Sequence, residues 1–272
     1  MRFEKSCIYV ILGAIMMGTL PIFVRELSVQ GMNAIQITSL RLLTGFIYLS
    51  VFYLVLGKKP KLRNWKFIFL ISVINTATIL FYIKSIQVTK VATAALLLYM
   101  APVYVVIFSF IIGEKISLKQ LFAVVMGLIG LWFIISPNEI SGDVFGVLSG
   151  IFYAFYFLVM KRARSEMDSL SITFAYLGIS SIFLSPFALS PIKLNQIIWV
   201  LGLGLIPTAF AFTIFNHGIK GCGASNSSLS ALVEPLTVSV IGYVFFGEVL
   251  SIRQVLGGIL ILTSIFVILE KK

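Results

Sequence analysis

The amino-acid sequence predicts an all-α integral membrane protein. Of its 272 residues, 59% are hydrophobic and only 11% are charged, whereas about 25% of the residues in a soluble globular chain are charged. The mean hydropathy of +1.06 leaves too little polar surface for an exterior that faces water. The apolar residues form long runs without alternation, which favours membrane-spanning helices over a membrane barrel.

Ten apolar runs are separated by short polar or basic turns, and each is long enough to cross a bilayer at about 20 residues per helix. They cover residues 7–24, 34–56, 67–84, 92–112, 119–136, 143–160, 170–189, 196–217, 225–246 and 252–269. The first run follows two basic residues as in a signal peptide, but it lacks a small-residue cleavage site. We therefore expect ten transmembrane helices, with the first retained.

The basic residues predict the orientation of these helices. With the N-terminus inside, fifteen Lys and Arg fall on the inner side and five on the outer side, and Arg41 lies within the second span. Because basic residues concentrate in short cytoplasmic loops, we expect a multi-pass plasma-membrane protein with both termini in the cytoplasm. The same distribution accounts for the net charge of +11, so we expect no nucleic-acid partner.

The two cysteines, Cys7 and Cys222, are too few for a disulfide framework. The predicted orientation places both near the inner face of the membrane, which is a reducing setting. We therefore expect two unpaired thiols.

An internal repeat divides the chain into two units of five helices. Residues 113–120 (GEKISLKQ) return as residues 247–254 (GEVLSIRQ), at a spacing of 134, and Ala101-Pro102 corresponds to Glu234-Pro235 at a spacing of 133. We expect the units to cover residues 1–137 and 138–272. Because five is odd, the second unit must cross the membrane in the opposite sense, and such inverted repeats around a central cavity are typical of alternating-access carriers.

The repeated motif and Arg41, early in the second span, resemble the EamA-type domains of the drug/metabolite transporter superfamily. The resemblance covers nearly the whole chain. It implies a carrier, commonly an exporter, of a small organic metabolite such as an amino acid, with a cavity formed by the third, fourth, eighth and ninth helices and helped by the first and sixth. One departure is Met17-Gly18, where many relatives have Trp-Gly.

Two charged residues lie within the predicted spans. Glu234 is the only acidic residue near the membrane midplane; it either binds a substrate ammonium group or a proton, or stays protonated against a neighbouring helix. Arg41 either extends its side chain outward to the interface, or pairs with a carboxylate or carbonyl groups and so holds an outer gate or attracts an anionic substrate group.

Prolines and polar residues at equivalent positions of the two units are further candidates. Pro102 and Pro235 free backbone carbonyls in mid-span, which predicts either a hinge or binding carbonyls, or a static kink. Asn75 and Thr208 correspond at the same spacing of 133, and each can hydrogen-bond a substrate or join two helices.

The remaining candidates are aromatic or lie near a helix end. The tyrosines either wall a cavity or pack between helices, and they are Tyr82, Tyr99, Tyr153 and Tyr156. Asn216 is a further polar candidate. His217 is either an interfacial anchor or a proton relay.

No motif for a zinc protease, a phosphate-binding loop or a Cys/His metal cluster occurs, so we expect neither an enzyme nor a cofactor or metal. The predicted function is secondary transport of a small organic molecule across the lipid bilayer, with protons as a candidate coupling ion. The alternatives are a channel-like facilitator, or a membrane scaffold or enzyme. The oligomeric state stays open, a monomer included.

Overall fold

A computed structural model describes residues 5–88, 91–113, 115–135, 144–188, 191–246 and 251–269. These ranges contain helices joined by short turns, which confirms the predicted all-α class. Glu114, Glu248 and the expected boundary between the two units at residues 137 and 138 lie outside the described residues.

The first half of the chain contains seven helical segments. They are α1 (Lys5–Gly18), α2 (Leu20–Val29), α3 (Ala34–Val55), α4 (Trp65–Val88), α5 (Val91–Leu98), α6 (Ala101–Ile111) and α7 (Leu118–Ile135). The second half contains α8 (Val144–Glu166), α9 (Ser169–Phe183), α10 (Ser185–Ala188), α11 (Leu194–Gly204), a π-helical turn (Leu205–Phe210), α12 (Ala211–Cys222), α13 (Ala224–Ser230), α14 (Val233–Phe246) and α15 (Ile252–Leu269).

Eight helical stretches among the described residues are long and apolar enough to cross a membrane, as judged by length and composition. The fifth and seventh predicted runs correspond to shorter apolar helices, Leu118–Ile134 and Ser169–Phe183. The seventh run is shortened because α9 ends at Phe183 and Pro186 lies in the separate turn α10. Ten crossings therefore stay a prediction.

Several helices of the first half pack against helices of the second half. The most extensive contacts join α7 to α15, α1 to α12 and α4 to α8, and α3 packs against α9 and α11. Gly127 lies beside Ser264, while Gly130 lies beside Gly257 and Ile261. Because contact positions rise along α7 as they fall along α15, these two helices run antiparallel.

The same antiparallel arrangement holds for α3 and α9. The Tyr53 hydroxyl is 2.8 Å from Ser171 Oγ, near the end of α3 and the start of α9. Phe46, two turns earlier on α3, packs against Phe174 with the ring centroids 5.0 Å apart and the ring planes tilted by 37°.

A disulfide joins Cys7 of α1 to Cys222 of α12, with the two Cα atoms 4.8 Å apart. The prediction of two unpaired thiols is therefore wrong. A Cβ placed on Gly218 would lie 2.7 Å from Val10 Cγ2, so the absence of a side chain lets the helices approach closely. This proximity brings together cysteines that are 215 residues apart in the sequence.

Candidate functional site

The fourth and ninth predicted spans are each divided into two helices at equivalent positions. α5 ends at Leu98 and α6 begins at Ala101, while α13 ends at Ser230 and α14 begins at Val233. Pro102 and Pro235 occupy the first turn of the second helix in each pair. A proline costs little there because first-turn N–H groups have no partner within the helix. The predicted kinks are thus interruptions of the helix.

Glu234 lies beside the interruption of the ninth span, in the first turn of α14. The Tyr99 hydroxyl, from the interruption of the fourth span, lies next to its carboxylate. Arg41, Tyr82 and Tyr153 are close enough to interact with Glu234 electrostatically. All five side chains are partly buried. We call Glu234, Arg41, Tyr82, Tyr99 and Tyr153 the central polar cluster.

The central polar cluster draws on five predicted spans. Arg41 comes from α3, Tyr82 from α4, Tyr99 from the turn between α5 and α6, Tyr153 from α8 and Glu234 from α14. An ionisable group at this depth is stable where it meets other polar groups or water. The structure therefore brings together five of the residues that the sequence singles out.

Arg41 is fixed by two hydrogen bonds to the second half of the chain. Its Nε donates to Thr208 Oγ1 at 3.0 Å and its Nη2 donates to the Pro207 carbonyl at 3.2 Å. The guanidinium carbon also lies 5.3 Å from the centre of the Phe212 ring, within the range of a cation–π interaction. Of the two predicted arrangements, the structure has the one in which Arg41 pairs with a carbonyl inside the protein.

The π-helical turn changes the backbone hydrogen bonds around this carbonyl. Pro207 has no N–H, so the Leu203 carbonyl loses its usual donor, and the Thr208 hydroxyl donates to it instead at 2.8 Å. The Ala211 N–H donates to the carbonyls of Ile206 and Thr208. It therefore bypasses the Pro207 carbonyl, which accepts from Arg41.

A second network lies deeper in the protein. The Tyr156 hydroxyl donates to Asn216 Oδ1 at 2.7 Å, and Asn216 Nδ2 donates to Thr173 Oγ1 at 3.1 Å. Tyr156 is 3% exposed and Asn216 is fully buried. Arg164 Nε donates to the Asn216 carbonyl at 3.0 Å. These partners use most of the polar capacity of Asn216 and join α8, α9 and α12.

Two candidates lie apart from these networks. His217 is exposed on α12, and its ring meets the edge of Tyr9 at 4.9 Å between centroids. Asn75 is buried on α4, and its amide nitrogen has no hydrogen-bond partner among the described residues. Within the described ranges the Asn75 amide nitrogen is thus a buried donor without a partner, whereas the repeat equivalent Thr208 makes two hydrogen bonds.

A family model described as the EamA-like transporter family matches residues 4–136 and again residues 140–270. The chain belongs to the EamA-like transporter family. The predicted family is therefore confirmed, and each of the two matches covers about half of the chain.

Similar proteins are known in archaea and bacteria. The EamA-family chain is 38% identical over 269 residues to an uncharacterized transporter of Archaeoglobus fulgidus, which covers 98% of this chain and 96% of the relative. It is 23% identical over 285 residues to the uncharacterized inner membrane transporter YicL of Salmonella typhimurium, covering 97% and 95%. A crystal structure 17% identical to the chain has the same fold, with a TM-score of 0.81 over 97% of this chain and 96% of the other.

Sequence reasoning missed several partners in this EamA-family chain. Pro207 and Phe212 hold Arg41, and Thr173 and Arg164 hold Asn216. The available signal for this site was a proline in the middle of an apolar run, because the missing N–H makes the helix irregular there. No local pattern identifies Thr173 as the partner of Asn216.

Proposed function

We propose that this EamA-family protein is a secondary transporter that moves a small organic metabolite through the space around the central polar cluster. The observation that carries the proposal is the Tyr99 hydroxyl beside the Glu234 carboxylate at the interruptions of two equivalent helices, with Arg41 close enough to interact with Glu234 electrostatically. Interrupted helices line the substrate sites of many carriers, since irregular backbone at membrane depth is tolerated where it faces a cavity.

The charges of the central polar cluster support a substrate that carries both an ammonium and a carboxylate group, as an amino acid does. The Glu234 carboxylate suits the ammonium group. Arg41 keeps Nη1 free of hydrogen-bond partners among the described residues, so this nitrogen is available to a carboxylate. Tyr82, Tyr99 and Tyr153 would wall the space between them, and either the substrate or a proton would neutralise Glu234.

We further propose that residues 1–137 and 138–272 form inverted repeats of five helices that alternate access to the site. The antiparallel contacts of α7 with α15 and of α3 with α9 support this arrangement, because each pair joins equivalent helices of the two units. Exchanging the two units also converts the contact of α1 with α12 into the contact of α8 with α4, and both contacts are present. We place the protein in the plasma membrane with cytoplasmic termini and outward transport.

The test begins with a thermal-shift screen of the purified protein against amino acids, nucleosides, sugars and organic cations, because a ligand of the native state raises apparent stability. Each hit is then assayed for counterflow in proteoliposomes. A carrier shows faster uptake of labelled substrate when unlabelled substrate is present on the opposite side.

The outcomes separate the proposal from its alternatives. Flux without trans-stimulation would favour a channel-like facilitator. Failure to bind or move any compound of the panel would favour a scaffold or enzyme. Preferential hits among zwitterionic amino acids, lost when Arg41 or Glu234 is neutralised, would support the proposed substrate class.

A further inference from the structure

A concave site lies away from the central polar cluster, at the end of α3. It is a cleft of about 960 Å³ between the α3–α4 connection and the α8–α9 connection. Its lining includes four basic residues from one loop, Lys58, Lys59, Lys61 and Arg63. We call these four residues the basic rim.

Hydrogen bonds hold the two walls of the cleft together. Ser171 Oγ accepts the backbone N–H of Lys61 at 2.9 Å and contacts the Tyr53 hydroxyl at 2.8 Å. Asn64 Nδ2 donates to Glu166 Oε2 at 3.1 Å. The basic rim is therefore carried by a loop that is fixed against α9 and the end of α8.

The positive charge of the basic rim is not neutralised within the cleft. Asp168 accepts from the Ser171 backbone N–H at 2.9 Å and from its hydroxyl at 2.7 Å, as the N-cap of α9. Glu166 accepts from Asn64. The four cations and these two carboxylates leave a lining charge of +2. None of the four basic side chains has a partner in the described part of the chain.

Apolar side chains next to the basic rim place the cleft at the bilayer surface. Trp65 is 70% exposed and Leu62 is 50% exposed, and tryptophan is enriched where membrane helices meet the headgroup region. Phosphate groups of lipids lie at this level. Soluble phosphate compounds reach the same surface from the water side.

We propose that this cleft binds a phosphate-bearing anion through the basic rim, as a site separate from the transport site. The ligand chemistry is a phosphate mono- or diester, and its source is either a lipid headgroup or a dissolved phosphate. Clusters of basic residues beside a transmembrane helix attract anionic headgroups, and the cleft adds a concave surface on which several donors converge.

The test compares the wild-type full chain with two variants that carry four substitutions each, all in uncharged detergent. The cleft variant is K58Q/K59Q/K61Q/R63Q. The control variant K5Q/K115Q/R162Q/K220Q removes the same charge from exposed positions that the sequence assigns to the same side of the membrane. Each protein is titrated with short-chain phosphatidylglycerol, short-chain phosphatidylcholine and inorganic phosphate. Binding is followed by thermal shift and by native mass spectrometry.

We expect phosphatidylglycerol to bind the wild type and the control alike and the cleft variant at least about tenfold more weakly, since each basic residue near an anionic surface contributes about fivefold. Binding of inorganic phosphate with the same dependence on the basic rim would identify a dissolved ligand as the source. Phosphatidylcholine should bind all three proteins equally.

Two results would overturn the proposal. If the cleft and control variants bind the anion equally weakly, the effect comes from overall charge. If both bind it as tightly as the wild type, the basic rim is not its site. If the fourfold cleft variant does not purify, K58Q/K59Q and K61Q/R63Q are compared with K5Q/K115Q and R162Q/K220Q in the same way. The readout needs no transport, so it is independent of the proposed function.

Discussion

Arg41 and Thr208 form a hydrogen bond of 3.0 Å between Nε and Oγ1 across 167 positions of sequence. The Thr208 hydroxyl also donates to the Leu203 carbonyl, 2.8 Å away. One hydroxyl thus satisfies the Leu203 carbonyl in the π-helical turn and accepts a hydrogen bond from the partly buried Arg41 of the other half. This double use makes Thr208 a link between the repeat units at the candidate site.

We predict that Thr208→Val lowers the stability of the protein by about 1–3 kcal/mol, because both the Leu203 carbonyl and Arg41 Nε lose a partner inside the protein. Thr208→Ser keeps the hydroxyl and serves as the matched control. The measurement is the apparent melting temperature in detergent. Equal melting temperatures for the valine and serine variants would contradict this assignment.

Neutralising Glu234 should affect transport far more than folding. Glu234→Gln keeps the size of the side chain and its capacity to hydrogen-bond Tyr99. It removes the carboxylate that would bind a substrate ammonium group or a proton. We expect flux in proteoliposomes to fall at least about tenfold and its pH dependence to disappear. Glu26→Gln is the control, because the Glu26 carboxylate accepts a hydrogen bond from Gln30 outside the central polar cluster. Wild-type flux and pH dependence in Glu234→Gln would remove Glu234 from the mechanism.

Asn216 should behave as a structural residue. Asn216→Leu leaves the buried Tyr156 hydroxyl and Thr173 without their partner, which costs about 1–3 kcal/mol for each unsatisfied group. Tyr156→Phe and the double variant complete a mutant cycle that gives the coupling energy. We expect destabilisation, with the substrate affinity of the folded protein kept within about twofold. Unchanged stability with a large loss of affinity would instead make Asn216 a substrate contact.

The contact between α7 and α15 should depend on Gly130. A Cβ at Gly130 would lie 2.6 Å from the Gly257 carbonyl oxygen, which is backbone and cannot move aside cheaply. We expect Gly130→Ala to cost about 1–3 kcal/mol through overpacking. Gly258→Ala meets only the end of the Leu236 side chain at 2.8 Å, so its effect should be smaller. Melting temperatures that rank the two variants in the opposite order would contradict this packing.

Hydropathy was sufficient for the helical class and spacing for the repeat, while the family followed from the resemblance of the repeated motif and Arg41 to EamA-type domains. Hydropathy and spacing also selected Arg41, Glu234, Tyr82, Tyr99 and Tyr153, because polar groups stand out at membrane depth where each one is costly. Charge and proline within an apolar run are local signals. They need no knowledge of which helices are neighbours.

Helix packing alone decided which of these groups meet. Three interactions each join residues from helices that are distant in the sequence. They are the Cys7–Cys222 disulfide, the hydrogen bond from Arg41 to the Pro207 carbonyl and the hydrogen bond from Tyr156 to Asn216. In lipid, apolar surface gives helices little preference for one neighbour over another, so close packing at small residues and matched hydrogen bonds select the arrangement. Such matches depend on distances and directions in space, which a linear pattern of apolar and polar residues does not contain.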